Sequence, residues 1–269
     1  MQTPNGIGGA PRGYSAHPLV EGFPGKTASH GAFGWSSLWL LDDGTRRVLV
    51  DAGQPAYIPL IHDGLARLGL APSDVTDVLL THMHWDHVAN FTMFENATTW
   101  VGERELAWAA DQPAGTKFIP DLHVQELLRR TDGVERVSAG DEILPGIHTI
   151  ASPGHTPHHL AFFAEHATST TDNTGNAGTA GSLVFAGDAV KNIHELATSR
   201  VDSTMDEDQS VRSIDRLRSL LTDTGGVLLP GHDVGLAMDG GQVLRLREQR
   251  AQIGFFADAQ GDETDRSIG

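Results

Sequence analysis

Cysteine is absent from the 269 residues of this sequence. Disulfide bridges, thiolate nucleophiles, thiolate zinc sites and iron–sulfur clusters are therefore excluded together. Basic residues are also few, since 19 Lys and Arg stand against 35 Asp and Glu and leave a formal net charge of −16. A surface of this charge repels polyanions, so we expect no role in binding nucleic acid. Any bound metal ion must rest on nitrogen and oxygen ligands.

Long apolar segments are absent as well. The first residues are rich in Gly and Pro and lack the apolar run that a signal peptide needs. No later segment approaches the roughly 18 consecutive apolar residues of a membrane-spanning helix. We therefore expect a cytoplasmic protein that has no membrane partner.

Composition also predicts how the chain is divided. Residues 1–35 are expected to form an N-terminal extension, residues 36–256 the main domain, and residues 257–269 a polar tail. Within the main domain, residues 167–182 consist almost entirely of Thr, Ser, Gly, Asn and Ala. This low complexity is typical of a flexible insertion between two strands.

Apolar periodicity predicts alternating strands and helices, and therefore an α/β protein in which helices cover sheets. Short apolar runs predict strands at residues 35–41, 47–50, 77–80, 98–101, 147–151, 160–164, 183–186 and 227–229. Longer stretches with helical spacing predict helices at residues 57–70, 104–110, 122–130, 211–221 and 242–252.

Histidine is frequent, with 14 residues, and the segment His-x-His-x-Asp-His follows a predicted buried strand. It places four candidate metal ligands within six residues: His82, His84, Asp86 and His87. Imidazole and carboxylate are the ligands that suit zinc when thiolate is missing. Because side chains alternate along an extended chain, His82 and His84 point to the same side, whereas Asp86 and His87 follow the start of a turn. One short segment can thus serve two adjacent metal ions.

Three further segments share one layout, in which a predicted strand is followed by Gly and then by a candidate ligand. The ligands are His155, Asp188 and His232. One such histidine alone is more often a surface or core residue, but four segments in one cysteine-free chain favour a metal centre at the edge of a sheet. The roles of His158 and His159 stay open. The remaining histidines are interpreted as surface or packing residues: His17, His30, His62, His123, His148, His166 and His194.

Together these motifs resemble the metallo-β-lactamase-fold hydrolase superfamily. The resemblance rests on the His-x-His-x-Asp-His segment, the Ser-Pro-Gly-His-Thr-Pro run at 152–157, Gly187-Asp188 and the Pro-Gly-His run at 230–232, and it extends from about residue 36 to 235. It is nearest to the N-acyl homoserine lactonase-like members, to which residues 96–98 and 103–105 are also similar. It implies an αββα four-layer sandwich, in which two mixed β-sheets are flanked by helices.

The resemblance also implies two metal ions at one edge of the sandwich, usually Zn²⁺, with Mn²⁺ or Fe²⁺ as alternatives. His82, His84 and His155 would hold the first ion, Asp86, His87 and His232 would hold the second, and Asp188 would bridge both. Asp51 resembles an acidic residue of the family that steadies the site from behind the ligands. Alternatively, Asp51 is a turn-forming Asp that precedes a Gly.

Two metal ions with these ligands suit the hydrolysis of an acyl bond. A bound metal lowers the pKa of water to about 7, and a second ion polarises the carbonyl or holds the leaving oxygen. The predicted reaction is attack of a metal-bridging hydroxide on the ester-type bond of a lactone or ester, with Asp86 as a catalytic candidate that takes or passes a proton. An acyl-thioester hydrolase is the alternative, and a β-lactamase, a phosphodiesterase or an iron-dependent redox protein fits less well.

Two positions depart from the lactonase pattern. Lys191 stands where those enzymes carry a Tyr three residues after the bridging Asp. As a second catalytic candidate, Lys191 can polarise a carbonyl or bind a carboxylate; as an ordinary residue, it is a solvated lysine after a strand. His158 replaces the usual Gly of the Pro-Gly-His-Thr-Pro-Gly-His run, which affects the local backbone path.

The expected partner is a small-molecule acyl substrate (lactone, ester or thioester), and a homodimer is compatible with the same features. Residues 111–130 are expected to form a lid over the metal ions. Aromatic residues near the motifs are candidates for an apolar cleft, although most are expected to pack in the core: Trp85, Phe91, Phe94, Trp108, Phe118 and Phe162.

Overall fold

Strands and helices alternate along the chain. The computed structural model describes residues 13–27, 31–32, 34–169, 180–249, 251–256 and 263–268. The strands are β1 Ser15–Val20, β2 Lys26–Thr27, β3 Gly31–Ala32, β4 Leu38–Asp42, β5 Arg47–Val50, β6 Asp77–Leu80, β7 Thr98–Gly102, β8 Val134–Val137, β9 Glu142–Leu144, β10 Ile147–Ala151, β11 Leu160–Ser169, β12 Ala180–Gly187, β13 Val227–Pro230, β14 Leu236–Asp239, β15 Gln242–Arg245, β16 Ala251–Phe256 and β17 Glu263–Ile268. The α-helices are α1 Ile58–Arg67, α2 Trp85–Val88, α3 Glu103–Ala110, α4 Asp121–Arg129, α5 Ile193–Thr198 and α6 Glu207–Thr224. Short 3₁₀ helices lie at Pro55–Tyr57, Pro72–Asp74 and Phe91–Met93.

The main sheet is mixed. Its hydrogen-bonded strand order is β15-β14-β13-β12-β11-β1-β4-β5-β6-β7-β8, and β10 pairs with β11 and β9. Strands β5 to β8 run parallel to one another, as do β12 and β13, whereas β4 and β5, β11 and β12, and β13 and β14 are antiparallel pairs. β1 pairs with β4 and also with the far end of β11, at Thr168 and Ser169. This pairing joins two layers of strands, one containing β1 and β4 to β8 and the other containing β9 to β15.

Alternation along the strands creates three apolar layers, as expected when both faces of a sheet are covered. On β4, Leu38 and Leu40 pack with residues of the first helices, such as Ile61. Between them, Trp39 belongs to a second cluster that includes Phe162 from β11 and so lies between the two layers of strands. A third cluster places residues of β12 and β13 against α5 and α6. The predicted αββα four-layer sandwich is therefore confirmed.

Helix α6 illustrates how sequence determines an element in this fold. The side chain of Asp206 accepts a hydrogen bond from the backbone N–H of Gln209, which caps the first turn. Gly225 ends the helix in a left-handed conformation, with φ of 63°. The buried residues Ile214, Leu217 and Leu221 recur at helical spacing and pack on the second layer of strands.

The predicted helix at residues 242–252 is wrong. Residues 242–245 form β15, and residues 251–256 form β16. Gly240 and Gly241 have positive φ values of 53° and 83°, and the turn they form lets β15 fold back on β14, with Asp239 opposite Gln242. A glycine pair at a hairpin turn thus overrides the helix-like spacing that follows it.

The domain boundaries stay predictions, but the structure adds three facts to them. Strand β1, from the predicted extension, is part of the main sheet, and residues 1–12, 28–30 and 33 lie outside the described residues. β11 and β12 extend into the predicted flexible insertion from both sides, and residues 170–179 lie outside the described residues. Within the predicted tail, β17 pairs with β16.

No helix in the described part of the chain is long and apolar enough to cross a membrane.

Candidate metal centre

The structure brings all seven predicted metal ligands together beyond the ends of the strands that precede them. Their side chains form three groups in which the ligand atoms lie within 4.8 Å of one another: His82, His84 and His155; His82, His87 and Asp188; and Asp86, His87 and His232. The backbone of His84 is still extended, and α2 begins at Trp85. Ligands on either side of this boundary therefore point in different directions, as the sequence predicts.

Three imidazole rings form the first group. The ring centroid of His82 lies 4.6 Å from that of His84 and 4.9 Å from that of His155. Nε2 of His155 lies 3.0 Å from Nδ1 of His84. Nδ1 of His155 lies 2.8 Å from the carbonyl oxygen of Ser203, so the N–H is on Nδ1 and donates to it. This hydrogen bond leaves the lone pair of Nε2 directed at the group.

The carboxylate of Asp188 belongs to the second group and lies between the imidazoles of the first group and those of the third. Its Oδ2 is 3.2 Å from Nε2 of His155, whereas its Oδ1 is 3.3 Å from Nε2 of His87 and 3.2 Å from Nε2 of His232. Oδ2 of Asp86 is 3.6 Å from Nε2 of His87 and of His232. The two oxygens of Asp188 therefore point to different sets of nitrogen atoms, which is the arrangement that a bridging carboxylate needs.

Asp51 orients His87 through a hydrogen bond to the ring nitrogen that faces away from the other ligands. Its Oδ2 lies 2.8 Å from Nδ1 of His87, and its Oδ1 accepts the backbone N–H of Thr81 at 2.9 Å. The hydrogen bond fixes the N–H on Nδ1 of His87 and turns its Nε2 toward the group. Asp51 also has a left-handed φ of 60°, so it lies in a turn as well. Asp51 thus both orients a candidate ligand and lies in a turn, so the two interpretations made from the sequence are compatible.

Burial keeps part of the cluster neutral. It lowers the pKa of His82 and His155 well below the ordinary value, and the pKa of His84 to about 4. Burial also acts against charge on His87, but the carboxylates of Asp86, Asp51 and Asp188 outweigh it and raise the pKa of His87. Burial raises the pKa of Asp188, but His232, His155 and His87 outweigh this and hold it well below its ordinary value. Metal ligands must be deprotonated, and neutral His82, His84 and His155 beside an ionised Asp188 fit that requirement.

A divalent ion would satisfy buried atoms that otherwise have no partner. Among the described residues, Nε2 of His82, Nε2 of His87 and Oδ1 of Asp188 are buried and form no hydrogen bond. Buried polar atoms are nearly always paired, because leaving one unpaired costs about 1 to 3 kcal/mol. A donor set of imidazole and carboxylate suits Zn²⁺, and also Mn²⁺ or Fe²⁺. The residues present therefore fit a metal centre.

Lys191 is buried next to the cluster, so its interpretation as a solvated lysine is wrong. Its Nζ lies 2.8 Å from Oε1 of Glu195, and its backbone N–H donates to Oε2 of the same residue at 2.6 Å. Its carbonyl oxygen accepts the backbone N–H of His232 at 2.8 Å. The positive charge of Lys191 adds to the lowering of the pKa of His84 and His155.

His159 is a part of the site that sequence reasoning left open. The residue is fully buried, its Nδ1 lies 2.8 Å from Oγ of Ser152, and its Nε2 accepts the backbone N–H of Asp188 at 3.1 Å. Burial lowers its pKa to about 3, so the ring is neutral. His159 therefore supports the loop that carries Asp188. The only signal in the sequence is its position in the run that contains His155.

The candidate aromatic residues divide into two sets. Phe91, Phe94 and Phe162 are buried in the core, and Trp108 is partly buried and packs against it, as expected for most of them. Trp85 and Phe118 are exposed beside the cluster: the ring of Phe118 lies 5.4 Å from that of His84, and its carbonyl oxygen accepts the backbone N–H of Trp85 at 2.9 Å. Part of the segment predicted to form a lid therefore touches the cluster, while α4 packs on the core through buried apolar residues. The lid itself stays a prediction.

Comparison with known proteins agrees with this geometry. The family model described as the metallo-beta-lactamase superfamily matches residues 33–232. The N-acyl homoserine lactonase AttM of Azorhizobium caulinodans is 32% identical over 178 residues, which are 62% of this chain and 61% of that protein. The chain thus aligns with less than two thirds of that lactonase. Metallo-beta-lactamase domain-containing protein 1 of Xenopus laevis is 27% identical over 227 residues, 84% of this chain and 82% of that protein.

A solved structure shares the fold. The dizinc quorum-quenching lactonase AidC, in complex with a product N-acyl-L-homoserine, superposes with a TM-score of 0.62 and 15% identity, over 80% of this chain and 79% of the other. The family match covers most of the chain and includes all seven clustered ligands. The chain therefore belongs to the metallo-beta-lactamase superfamily.

Proposed function

We propose that this protein is a metal-dependent hydrolase that opens lactones or cleaves related esters. The observation that carries the proposal is the position of Asp188, whose two carboxylate oxygens face separate sets of histidine nitrogens. One carboxylate placed in this way can bind two ions close together. Two adjacent ions are a common device for activating water and stabilising the oxygens of a hydrolytic reaction.

The proposed centre is dinuclear. His82, His84 and His155 would hold one ion, Asp86, His87 and His232 a second, and Asp188 would bind both. Zinc is the proposed metal, because the ligands are imidazole and carboxylate and because the lactonase AidC, which shares the fold, is a dizinc protein. When bound, such ions lower the pKa of water and polarise a carbonyl group.

Residues of this chain supply the remaining chemistry. The side chain of Asp86 is partly exposed, unlike those of the buried histidines. Asp86 can therefore reach a substrate and accept or pass a proton. Lys191 provides a buried positive charge three residues after Asp188, where it can stabilise negative charge that develops on a substrate oxygen. His159 and Asp51 hold Asp188 and His87 in place.

Lactones are the preferred substrate class for two reasons. The matched relative AttM and the structural neighbour AidC are both lactonases. Trp85 and Phe118 also present exposed aromatic surface beside the ligands, where the apolar part of a small acyl substrate can pack. The net charge of −16 disfavours nucleic acid as a substrate. The homodimer and the cytoplasmic location stay predictions.

A substrate panel with a matched inactive variant tests the proposal. Purified protein would be assayed with acyl homoserine lactones, aryl esters, acyl thioesters and β-lactams, beside Asp188→Asn, and metal content would be measured by mass spectrometry. We expect two Zn²⁺ per chain and hydrolysis of a lactone or ester, with a rate at least about 100-fold lower in the variant, since even partners of the ligands change activity ten- to hundredfold. Preferential cleavage of thioesters would support the thioesterase alternative. Equal rates in both proteins for every substrate would refute the proposal.

A further inference from the structure

Glu105 is a buried carboxylate that the proposed chemistry does not use. It lies in the first turn of α3 and is 1% exposed, whereas its neighbours Glu103 and Arg104 are exposed. No ion pair to Glu105 is present in the described part of the chain. Burial raises its pKa to about 7. A carboxylate is rarely kept in such a place unless its oxygens are needed by the groups around it.

Both oxygens of Glu105 accept backbone N–H groups. Oε1 accepts from Met83 at 3.2 Å, and Oε2 accepts from His158 at 3.2 Å. Met83 lies between His82 and His84 in sequence, and His158 lies three residues after His155. A single side chain therefore connects the two segments that supply the first group of imidazoles, although these segments are more than 70 residues apart in the chain.

The two hydrogen bonds of Glu105 are well placed to set the distance between the two segments that carry the ligands. A carboxylate offers two acceptors at a fixed separation, and its hydrogen bonds are strongest when it is ionised, at pH values above its pKa. Glu105 bonds to backbone atoms and not to the rings of the ligands, so it controls where the two chain segments lie relative to each other. The close approach of Nε2 of His155 to Nδ1 of His84, 3.0 Å, depends on that placement.

We infer that Glu105 is a positioning residue that holds the His82 and His84 segment against the His155 loop and so shapes the first metal site. This inference rests on the proposed metal centre. It predicts that Glu105 contributes to metal affinity at one of the two sites, and that it does so without touching the ion.

The test compares Glu105→Gln with Glu103→Gln. The amide of Gln has the size of the carboxylate but only one acceptor oxygen, so one of the two backbone N–H groups loses its partner. Glu103, in the same turn, is exposed and serves as the matched control. Metal-free protein would be titrated with Co²⁺ and followed by visible absorption, and the unfolding of each metal-free protein would be measured in parallel.

We expect two Co²⁺ sites in the wild type and in Glu103→Gln. In Glu105→Gln we expect one site to weaken about 10- to 100-fold, as is usual for residues that orient metal ligands, with the other site unchanged. Glu105→Asp, which keeps both acceptors on a shorter side chain, should fall between the two and covers the case in which Glu105→Gln does not fold.

Three results would count against the proposals, each in a different way. Unchanged Co²⁺ affinities with a less stable metal-free Glu105→Gln would show that Glu105 supports the fold alone, and would overturn the inference. Equal weakening of both sites would overturn it too, because Glu105 contacts only the segments of the first group. A wild-type protein that binds no Co²⁺ would refute the proposed function itself.

Discussion

Three buried carboxylates support the candidate site without being ligands themselves, and each binds a different partner. Asp51 binds the ring of His87, Glu105 binds two backbone N–H groups, and Glu195 binds both nitrogens of Lys191. Burying a charge costs several kcal/mol unless hydrogen bonds or an opposite charge offset the cost. These partners provide that offset, and in return the carboxylates fix the positions of residues at the cluster.

The Lys191–Glu195 pair makes a prediction about stability. Lys191→Met keeps an unbranched side chain but removes the ammonium group that lies 2.8 Å from Glu195, and the two side chains are only 11% and 3% exposed. Removing one partner of a buried pair leaves the other without compensation, so we expect the free energy of unfolding to fall by about 3 kcal/mol. Denaturant unfolding of the metal-free protein measures the change.

A double variant distinguishes the charge interaction between Lys191 and Glu195 from the effect of side-chain packing. Lys191→Met combined with Glu195→Gln removes both charges, and most of the lost stability should return, because pairs in contact are not additive. Ordinary surface substitutions change the free energy of unfolding by up to about 0.5 kcal/mol. A change no larger than this in Lys191→Met would contradict the idea that Lys191 and Glu195 form a buried, coupled pair.

At the scale of elements, the site depends on how closely the strand ends approach one another. Gly231 follows β13, and a Cβ built on it would overlap Oδ1 of Asp188 and the carbonyl oxygen of Gly187. Its φ is not in the left-handed region, so steric exclusion alone explains the glycine. The sequence pattern of strand, Gly and ligand is thus explained here by the space that the neighbouring ligand occupies.

Gly231→Ala should therefore damage the metal centre more than the fold. The added methyl group pushes the carboxylate of Asp188 away from the histidines, and we expect metal affinity to fall at both sites, since both use this residue. Gly181→Ala is the control, because a Cβ there has nothing within 4 Å. Metal content after dialysis against a weak chelator checks the prediction. Full retention of both ions by Gly231→Ala would contradict it.

Elements with strong local signals could be predicted from the sequence. The strand before His82, predicted at 77–80, is β6, and the helix predicted at 57–70 contains α1. Apolar residues recur at helical spacing in α1, whereas β6 is a short, fully buried run of the length typical of a strand. The strand β1 was missed, because its sequence Ser-Ala-His-Pro-Leu-Val alternates poorly and its stability comes from pairing with β4 and β11.

The candidate ligands could be found in the same way, because metal ligands must be of a few residue types at short spacing. Glu105 and His159 could not be assigned. Their partners are backbone N–H groups of Met83, His158 and Asp188, which are present in any sequence and become specific only when the chain is folded. The apolar surface of Trp85 and Phe118 was likewise indistinguishable from core aromatic residues before the fold was known.

For the whole molecule, the buried histidines make stability depend on pH. Burial lowers the pKa of His82, His84, His155 and His159 below the ordinary value of 6.5. The unfolded chain binds protons at these residues below about pH 6.5, whereas the folded protein does not, so their contribution is complete above that pH and is lost on acidification. Four groups have raised pKa values and act in the opposite direction, His87, His232, Glu105 and Glu195. The pKa values of His17 and His158 are lowered as well, so the groups that destabilise the folded protein on acidification are more numerous.

We therefore expect the metal-free protein to lose stability as the pH falls from 7 to 5, at up to about 1.4 kcal/mol per pH unit for each proton bound in excess by the unfolded chain. His159→Gln isolates one such group: Gln can still accept the N–H of Asp188, but it does not titrate. The variant should be less stable at pH 7 and should lose less stability on acidification. Urea unfolding at several pH values measures both, and parallel pH profiles for the two proteins would show that His159 takes up its proton equally in the folded and unfolded states.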